Sequence, residues 1–270
     1  MKKIIIFILL IFPLICIAEV RYKIVNLETR TNIKTGANWP GGINNKGEIV
    51  GTLVTPEGEY RIFKYSDIEG MVDLGNLECK WIYGNDINDN GQIIAAGIPN
   101  GTNSYSSFLF TPGSGFSTIK IPIDNSDTTG YKINNSGQIA IGFEIQPYEI
   151  ERAFRYTPSI GFEDLYCLNG EETYSYAINN KGWVTGGSKG GSTFLYQDGY
   201  SGLIKVCPGK GTGINDNGTI LGEYDLLTPF IYRNGERQFH QRENSGLRLE
   251  LVQWKIFSDS CSLYARNAPG

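Results

Sequence analysis

Short apolar runs separated by Gly-, Asn- and Asp-rich turns recur along the chain, and the recurrence has a period. Ile43-Asn44-Asn45-Lys46-Gly47-Glu48-Ile49 returns as Ile87-Asn88-Asp89-Asn90-Gly91-Gln92-Ile93 and as Ile133-Asn134-Asn135-Ser136-Gly137-Gln138-Ile139. Two further copies are Ile178-Asn179-Asn180-Lys181-Gly182-Trp183-Val184 and Ile214-Asn215-Asp216-Asn217-Gly218-Thr219-Ile220. The opening isoleucines lie 44, 46, 45 and 36 residues apart. Five copies at such spacing mark an internal repeat, which decides the architecture before any local assignment.

Each copy predicts a β-hairpin tip. Asn, then Asn or Asp, then Gly at the fourth position suit a type I turn whose last residue has positive φ, and the flanking Ile or Val begin strands on either side. An aromatic strand follows each tip: Phe63-Lys64-Tyr65, Phe108-Leu109-Phe110, Phe154-Arg155-Tyr156, Phe194-Leu195-Tyr196 and Phe230-Ile231-Tyr232. Aromatics at i and i+2 share one face of a strand. A Gly-containing turn and one more apolar segment then close the unit, as in Met71-Val72-Asp73-Leu74, Ile119-Lys120-Ile121, Phe162-Glu163-Asp164-Leu165 and Leu203-Ile204-Lys205-Val206. Four short strands in 40 to 45 residues predict an all-β fold, a β-propeller with one four-stranded antiparallel blade per repeat. The aromatic pairs are expected to fill the space between blades.

The Asn-Asn-x-Gly turn followed by an aromatic strand resembles the HAF repeat of predicted extracellular bacterial proteins, over about residues 22 to 237. Arg152-Ala153-Phe154 is the best match to the His-Ala-Phe triplet, while Arg61-Ile62-Phe63 and Pro229-Phe230 keep only the Phe. The resemblance implies export and a propeller-like fold. It brings no established activity and no catalytic residues.

At the ends, Tyr22-Lys23-Ile24-Val25-Asn26-Leu27 precedes the first tip as closing strands precede later ones, and so reads as the last strand of a blade begun by the C-terminus. Repeat five carries its own closing strand at Gly235 to Phe239, leaving Leu247-Arg248-Leu249-Glu250-Leu251 to begin an imperfect sixth blade. About six blades over residues 19–253, followed by an irregular tail at 254–270, is the expected arrangement. Five blades plus a tail is the alternative. The tail has no Asn-Asn-x-Gly turn, as a truncated chain or a frame shift near Trp254 would leave it. The repeats are expected to form one cooperative domain.

Residues 1–18 read as a signal peptide: Met1-Lys2-Lys3, an apolar run from Ile4 to Ala18, and cleavage expected after Ala18. The run is shorter than the roughly 20 residues that cross a bilayer, so no permanent membrane anchor is expected. Leu14-Ile15 is too bulky for a lipoprotein signal at Cys16. The protein is therefore expected outside the cytoplasm, extracellular or periplasmic. There, Cys79, Cys167, Cys207 and Cys261 would form one or two structural disulfides, among three pairings, or remain buried thiols.

The whole chain of 270 residues has 24 Lys+Arg against 28 Asp+Glu, which gives no surface for nucleic acid. Its 34 Gly, 16 Tyr and 13 Phe argue against a helical bundle. The single histidine, His240, excludes a multi-histidine zinc site and lies in the irregular C-terminal stretch.

Three features suggest chemistry. Asp86, Asn88, Asn90 and Gly91 match the first half of a calcium loop, but Gly97 stands where a bidentate Glu is needed, and the other tips lack the leading Asp. The run Gly186-Gly187-Ser188-Lys189-Gly190-Gly191, like Gly84 and Gly130, contains no phosphate-loop pattern and reads as an inter-strand loop. The acids Asp73, Glu144, Glu163, Asp164 and Glu223 are scattered over the blades, with Asp73 and Asp164 at equivalent repeat positions, so no catalytic pair stands out. The function expected from these observations is a non-enzymatic binding scaffold for an unknown protein or glycan partner, without cofactor or metal. The alternative is a carbohydrate-active propeller, either a glycan-binding lectin or a glycosidase. Binding is expected in the longest loops, Thr52 to Arg61, Ile98 to Ser107 and Phe143 to Arg152, with Tyr60, Tyr105 and Tyr148 as contacts.

Overall fold

The computed structural model describes residue 27 and residues 37–119, 127–145, 150–200, 202–224 and 228–239. The signal segment, the strand proposed before Leu27, His240, Cys261, Tyr148, the sixth-blade segment Leu247 to Leu251 and the tail lie outside the described residues.

The chain is an all-β propeller, with five four-stranded antiparallel sheets among the described residues. Blade 1 comprises β1 (Ala37–Ile43), β2 (Ile49–Val54), β3 (Tyr60–Ser66) and β4 (Gly70–Gly75). Blade 2 comprises β5 (Cys79–Ile87), β6 (Ile93–Pro99), β7 (Ser106–Thr111) and β8 (Gly115–Ile119). Blade 3 comprises β9 (Asp127–Ile133), β10 (Ile139–Ile145), β11 (Ile150–Thr157) and β12 (Gly161–Asp164). Blade 4 runs through β13 (Thr173–Ile178), β14 (Val184–Ser188), β15 (Ser192–Tyr196) and β16 (Ile204–Pro208), and blade 5 through β17 (Lys210–Ile214), β18 (Ile220–Glu223), β19 (Pro229–Arg233) and β20 (Glu236–Phe239). Each blade is a simple meander in chain order. The fifth keeps its own outer strand.

The repeated tip is a turn, as its residues dictate, and it is also the clasp between blades. Gly47, Gly91, Gly137, Gly182 and Gly218 all have φ between 73° and 78°, the left-handed conformation the turn needs. The first Asn caps its own turn: Asn134 Oδ1 accepts the N–H groups of Ser136 (3.0 Å) and Gln138 (2.9 Å). Its amide then reaches the next blade. Asn44 donates to the Asn88 carbonyl (3.0 Å), Asn88 to Asn134, Asn134 to Asn179 and Asn179 to Asn215 (2.9 Å each). The second position completes a parallel chain, in which the N–H groups of Asn45, Asp89, Asn135 and Asn180 donate to the side chains of Asp89, Asn135, Asn180 and Asp216. A buried polar group is stable only when paired, so this double ladder explains why the repeat demands Asn and then Asn or Asp.

Between blades the core is apolar, as the aromatic pairs predicted. Phe108 and Phe110 pack between blades 1 and 2, Phe154 and Tyr156 between 2 and 3, Phe194 and Tyr196 between 3 and 4, and Phe230 and Tyr232 between 4 and 5. Phe63 and Tyr65 of blade 1 pack with Leu27. Three of the phenylalanines lie over a glycine of the neighbouring strand: Phe63 opposite Gly51, Phe194 opposite Gly186 and Phe230 opposite Gly222. A Cβ at Gly51 would sit 2.7 Å from the Phe63 ring. The glycine thus makes room for the ring that closes the blade interface.

Candidate functional site

The first strand of every blade lines the axis of the ring, and every one carries a β-bulge at the same place. The register slips at Gly41 in β1, Asn85 in β5, Tyr131 in β9, Tyr176 in β13 and Thr212 in β17, always two residues before the isoleucine of the tip. A bulge leaves one residue unpaired and re-aims its side chain. All five bulged residues line a single axial cavity of about 240 Å³, shared with Trp39, Thr52, Tyr83 and Lys132. The backbone geometry repeats while its side chains do not: glycine, amide, two phenols and a hydroxyl occupy equivalent positions. At Gly41 a Cβ would collide with the Gly84 carbonyl oxygen, so blade 1 can offer only backbone there.

Two aromatic runs reach this cavity. Tyr131 meets Tyr176 edge-on (5.4 Å between ring centroids), and Tyr176 stacks on Tyr174 (6.3 Å, 5° between planes). On the other side Trp39 stacks with Tyr60 (5.9 Å), which meets Tyr83 edge-on (5.9 Å). Burial first, then neighbouring Tyr176 and Glu151, push the Tyr131 phenol up to about 12, so it is a hydrogen-bonding hydroxyl at neutral pH.

Above the first run lies an acidic row. The hairpin tips occupy one face of the ring, so the loops between second and third strands and the links between blades occupy the other. On that second face, the mouth, Asp127 of β9 is paired in register with Glu144 of β10, and Glu144 with Glu151 of β11. Directly opposed residues hold their Cβ atoms about 5 Å apart, which gathers three carboxyl groups across adjacent strands. Glu172, just before β13, joins them from blade 4. Tyr174 donates to Glu172 Oε2 (3.4 Å), and Lys189 is paired with Glu172 Oε1 (2.7 Å). Burial first, then the negative charges of Glu144, Glu172 and Asp127, raise the Glu151 carboxyl above its usual range, against a smaller opposing effect of Lys189. Burial and neighbouring carboxyl groups are the general means by which one carboxyl is raised relative to others. Glu151 also acts electrostatically on Tyr131 and Tyr176, which connects the row to the cavity.

The sequence-selected acids divide between this site and the framework. Asp73 and Asp164 hold equivalent structural posts: Asp73 pairs with Arg61 (2.7 Å) and accepts Gly75 N–H, and Asp164 pairs with Arg152 (2.6 Å) and accepts Tyr166 N–H. Glu163 binds Arg155 (2.7 Å) and accepts from the Tyr196 hydroxyl (2.6 Å). Glu223 pairs with Lys210 (2.7 Å), whose ammonium lies 5.9 Å from the Tyr176 ring. Glu144 alone of the five stands in the acidic row. Beside it stand Asp127, Glu151 and Glu172, which sequence reasoning did not single out. Their one signal was that Glu144 and Glu151 flank the blade 3 loop and become partners once that loop is read as a hairpin.

Other sequence candidates resolve into structure. Asp86 is fully buried, accepts from Lys132 Nζ (3.2 Å) and from Ile133 N–H (3.1 Å), and has its carboxyl raised by burial first, against the attraction of Lys132. Asn88 belongs to the tip ladder, and Asn90 donates to the Asn135 carbonyl (2.7 Å). In the glycine run, Glu171 Oε2 accepts from Ser188 Oγ (2.6 Å) and Gly190 N–H (3.2 Å), so a carboxylate already holds the donors a phosphate would need. Cys79, Cys167 and Cys207 are free thiols, Cys79 and Cys207 buried, so the disulfides expected among these three do not form. Burial pushes the Cys79 thiol up to about 11, which leaves it a poor nucleophile. Tyr60 and Tyr105 do reach the mouth, where Tyr105 N–H donates to Asp127 Oδ1 (3.0 Å).

No family model matches the chain, and no curated protein matches it in sequence. Among solved structures it is similar to virginiamycin B lyase from Staphylococcus aureus, with 12% identity over 74% of this chain and 70% of that one and a TM-score of 0.51. It is also similar to a puromycin hydrolase, with 11% identity and a TM-score of 0.52, over 77% of this chain but only 38% of that one. At these identities the likeness establishes the propeller fold and transfers no activity. It does correct the expectation of a non-enzymatic scaffold, since a lyase and a hydrolase are built on similar folds and the architecture therefore does not speak against an enzyme.

Proposed function

We propose that the protein is a carbohydrate-active propeller enzyme that works on sugars at the mouth of its axial cavity. One observation supports this above all: the carboxyl row Asp127–Glu144–Glu151 lies on the mouth face, and its third member, whose carboxyl is raised, acts electrostatically on the cavity-lining Tyr131 and Tyr176. Aromatic faces accept the C–H faces of sugar rings, while phenol hydroxyls and the Thr212 hydroxyl offer hydrogen bonds to sugar hydroxyls. In glycoside cleavage, Glu151 would protonate the departing oxygen and Glu144 would attack the anomeric carbon or activate water. The export expected for residues 1–18 accords with a glycan substrate outside the cytoplasm.

The test is turnover. Purified protein is incubated with a panel of oligosaccharides and polysaccharides, and new reducing ends are measured. Release from at least one glycan is expected; folded protein that releases nothing from any of them overturns the reading.

A further inference from the structure

The mouth has two unlike halves. Blades 3 and 4 carry the carboxyl row, whereas blades 1 and 2 carry Trp39, Tyr60 and Tyr83 in mutual contact. Trp39 and Tyr83 line the same axial cavity as Tyr131 and Tyr176, the tyrosines on which Glu151 acts, so the shelf and the tyrosines beside the carboxyl row share one cavity. Trp39 nevertheless leaves 47% of its surface exposed, although its ring is fixed against Tyr60 at 5.9 Å and 30°. The fold does not require an indole there. Equivalent first-strand positions, four residues before the tip isoleucine, hold Tyr83, Thr129, Tyr174 and Lys210 in the other blades. A large aromatic held in one orientation and left half-exposed at a cavity rim has the properties of a binding anchor.

We infer that Trp39, Tyr60 and Tyr83 form a second stacking subsite, which takes a further sugar ring of the substrate whose scissile bond lies under the carboxyl row. The substrate is therefore an oligosaccharide or polysaccharide rather than a single sugar. This rests on the reading of the site as carbohydrate-active. The shelf carries no ionisable carboxyl group, so it contributes affinity and chain-length preference, while the chemistry stays on blade 3.

Calorimetric titration with cello-, chito- and malto-oligosaccharides of one to five units tests this. For at least one series, the wild-type dissociation constant should fall roughly tenfold or more once a second or third unit is added, the effect of one good aromatic contact. Trp39→Ala and, as an independent second variant, Tyr60→Ala should abolish that gain, costing the longer ligands far more affinity than the single unit. Glu151→Gln should keep the length dependence. Wild-type binding that ignores chain length, or variants that lose short and long ligands equally, overturns the subsite alone. A wild type that binds none of the series overturns the sugar reading and the subsite together. Length-dependent binding with no turnover of any glycan would instead remove the catalytic reading and leave the subsite standing.

Discussion

The two faces of the ring are built by opposite rules. On the tip face every blade repeats Asn followed by Asn or Asp, and these are spent on the same bonds, Asn to carbonyl and N–H to Asn or Asp, from Asn44 through to Asn215. At the mouth the backbone repeats just as faithfully, down to the bulge in each first strand, but the side chains differ from blade to blade. Repetition marks where side chains hold blades together; its loss at conserved geometry marks where they face something else. The mouth also gathers carboxyl groups whose charges, after burial, raise the Glu151 carboxyl, an arrangement that costs stability, whereas the tip ladder satisfies what it buries.

The sharpest break of this contrast is Glu151→Gln, which keeps size and hydrogen bonding but removes the acid. Glycan turnover should fall about a thousandfold, or roughly 4 kcal/mol in the barrier, within the range of general acid catalysis. Asp164→Asn, which removes an acid from the repeated framework, should leave turnover within a few-fold of wild type. Similar losses in both variants would erase the distinction between a working row and repeated structural acids.

Next in size is Asn134→Ala on the tip face. Asn134 makes bonds to Ser136, Gln138 and the Asn179 carbonyl and is 4% exposed. Its loss leaves buried partners unmatched and should cost about 3 kcal/mol of unfolding free energy in a denaturant titration. Turnover per folded molecule should stay unchanged. A variant as stable as wild type would show that the ladder is decoration on a ring held by its apolar interfaces.

These predictions separate what the residues declared from what only the folded ring assembles. The meander, the five tips, the glycine conformations and the burial of Phe63, Phe194 and Phe230 were legible because each follows from local period and turn chemistry. The interblade role of the tip asparagines was not, since a turn explains Asn without any partner 44 residues away. The bulges were invisible for a related reason: the extra residue shows only against the partner strand. Likewise Glu144 and Glu151 are seven positions apart in sequence and become neighbours only through the register of β10 with β11. For Asp86 the sequence had already set calcium aside for want of a closing Glu, but it could not show the partner, Lys132 of the next blade, which meets the buried carboxyl.

A smaller effect is expected in the pH profile. Because burial and like charge raise the Glu151 carboxyl, its proton persists to higher pH than that of a free glutamate, and turnover should decline as pH rises through that raised value, tending to tenfold per unit. The residual activity of Glu151→Gln should lack this alkaline limb. A limb that survives the substitution would assign the proton to another group.

The smallest effect completes the comparison by its sign. A carboxyl whose folded pKa lies above its unfolded value contributes stability at pH below the unfolded value, and that contribution is lost as pH rises through the folded one. At pH above that raised value the ionised Glu151 is therefore a burden on the fold, modest because the group is partly solvated. Glu151→Gln should raise Tm by about 1–3 °C at pH 7, corresponding to less than about 1 kcal/mol, and the gain should vanish near pH 4. Substitutions in the tip ladder should lower Tm at both pH values, since their bonds hold no carboxyl forced into like-charge company. A Glu151→Gln variant less stable than wild type at pH 7 would mean that the carboxyl row holds blade 3 against blade 4, and that the mouth follows the same rule as the tips.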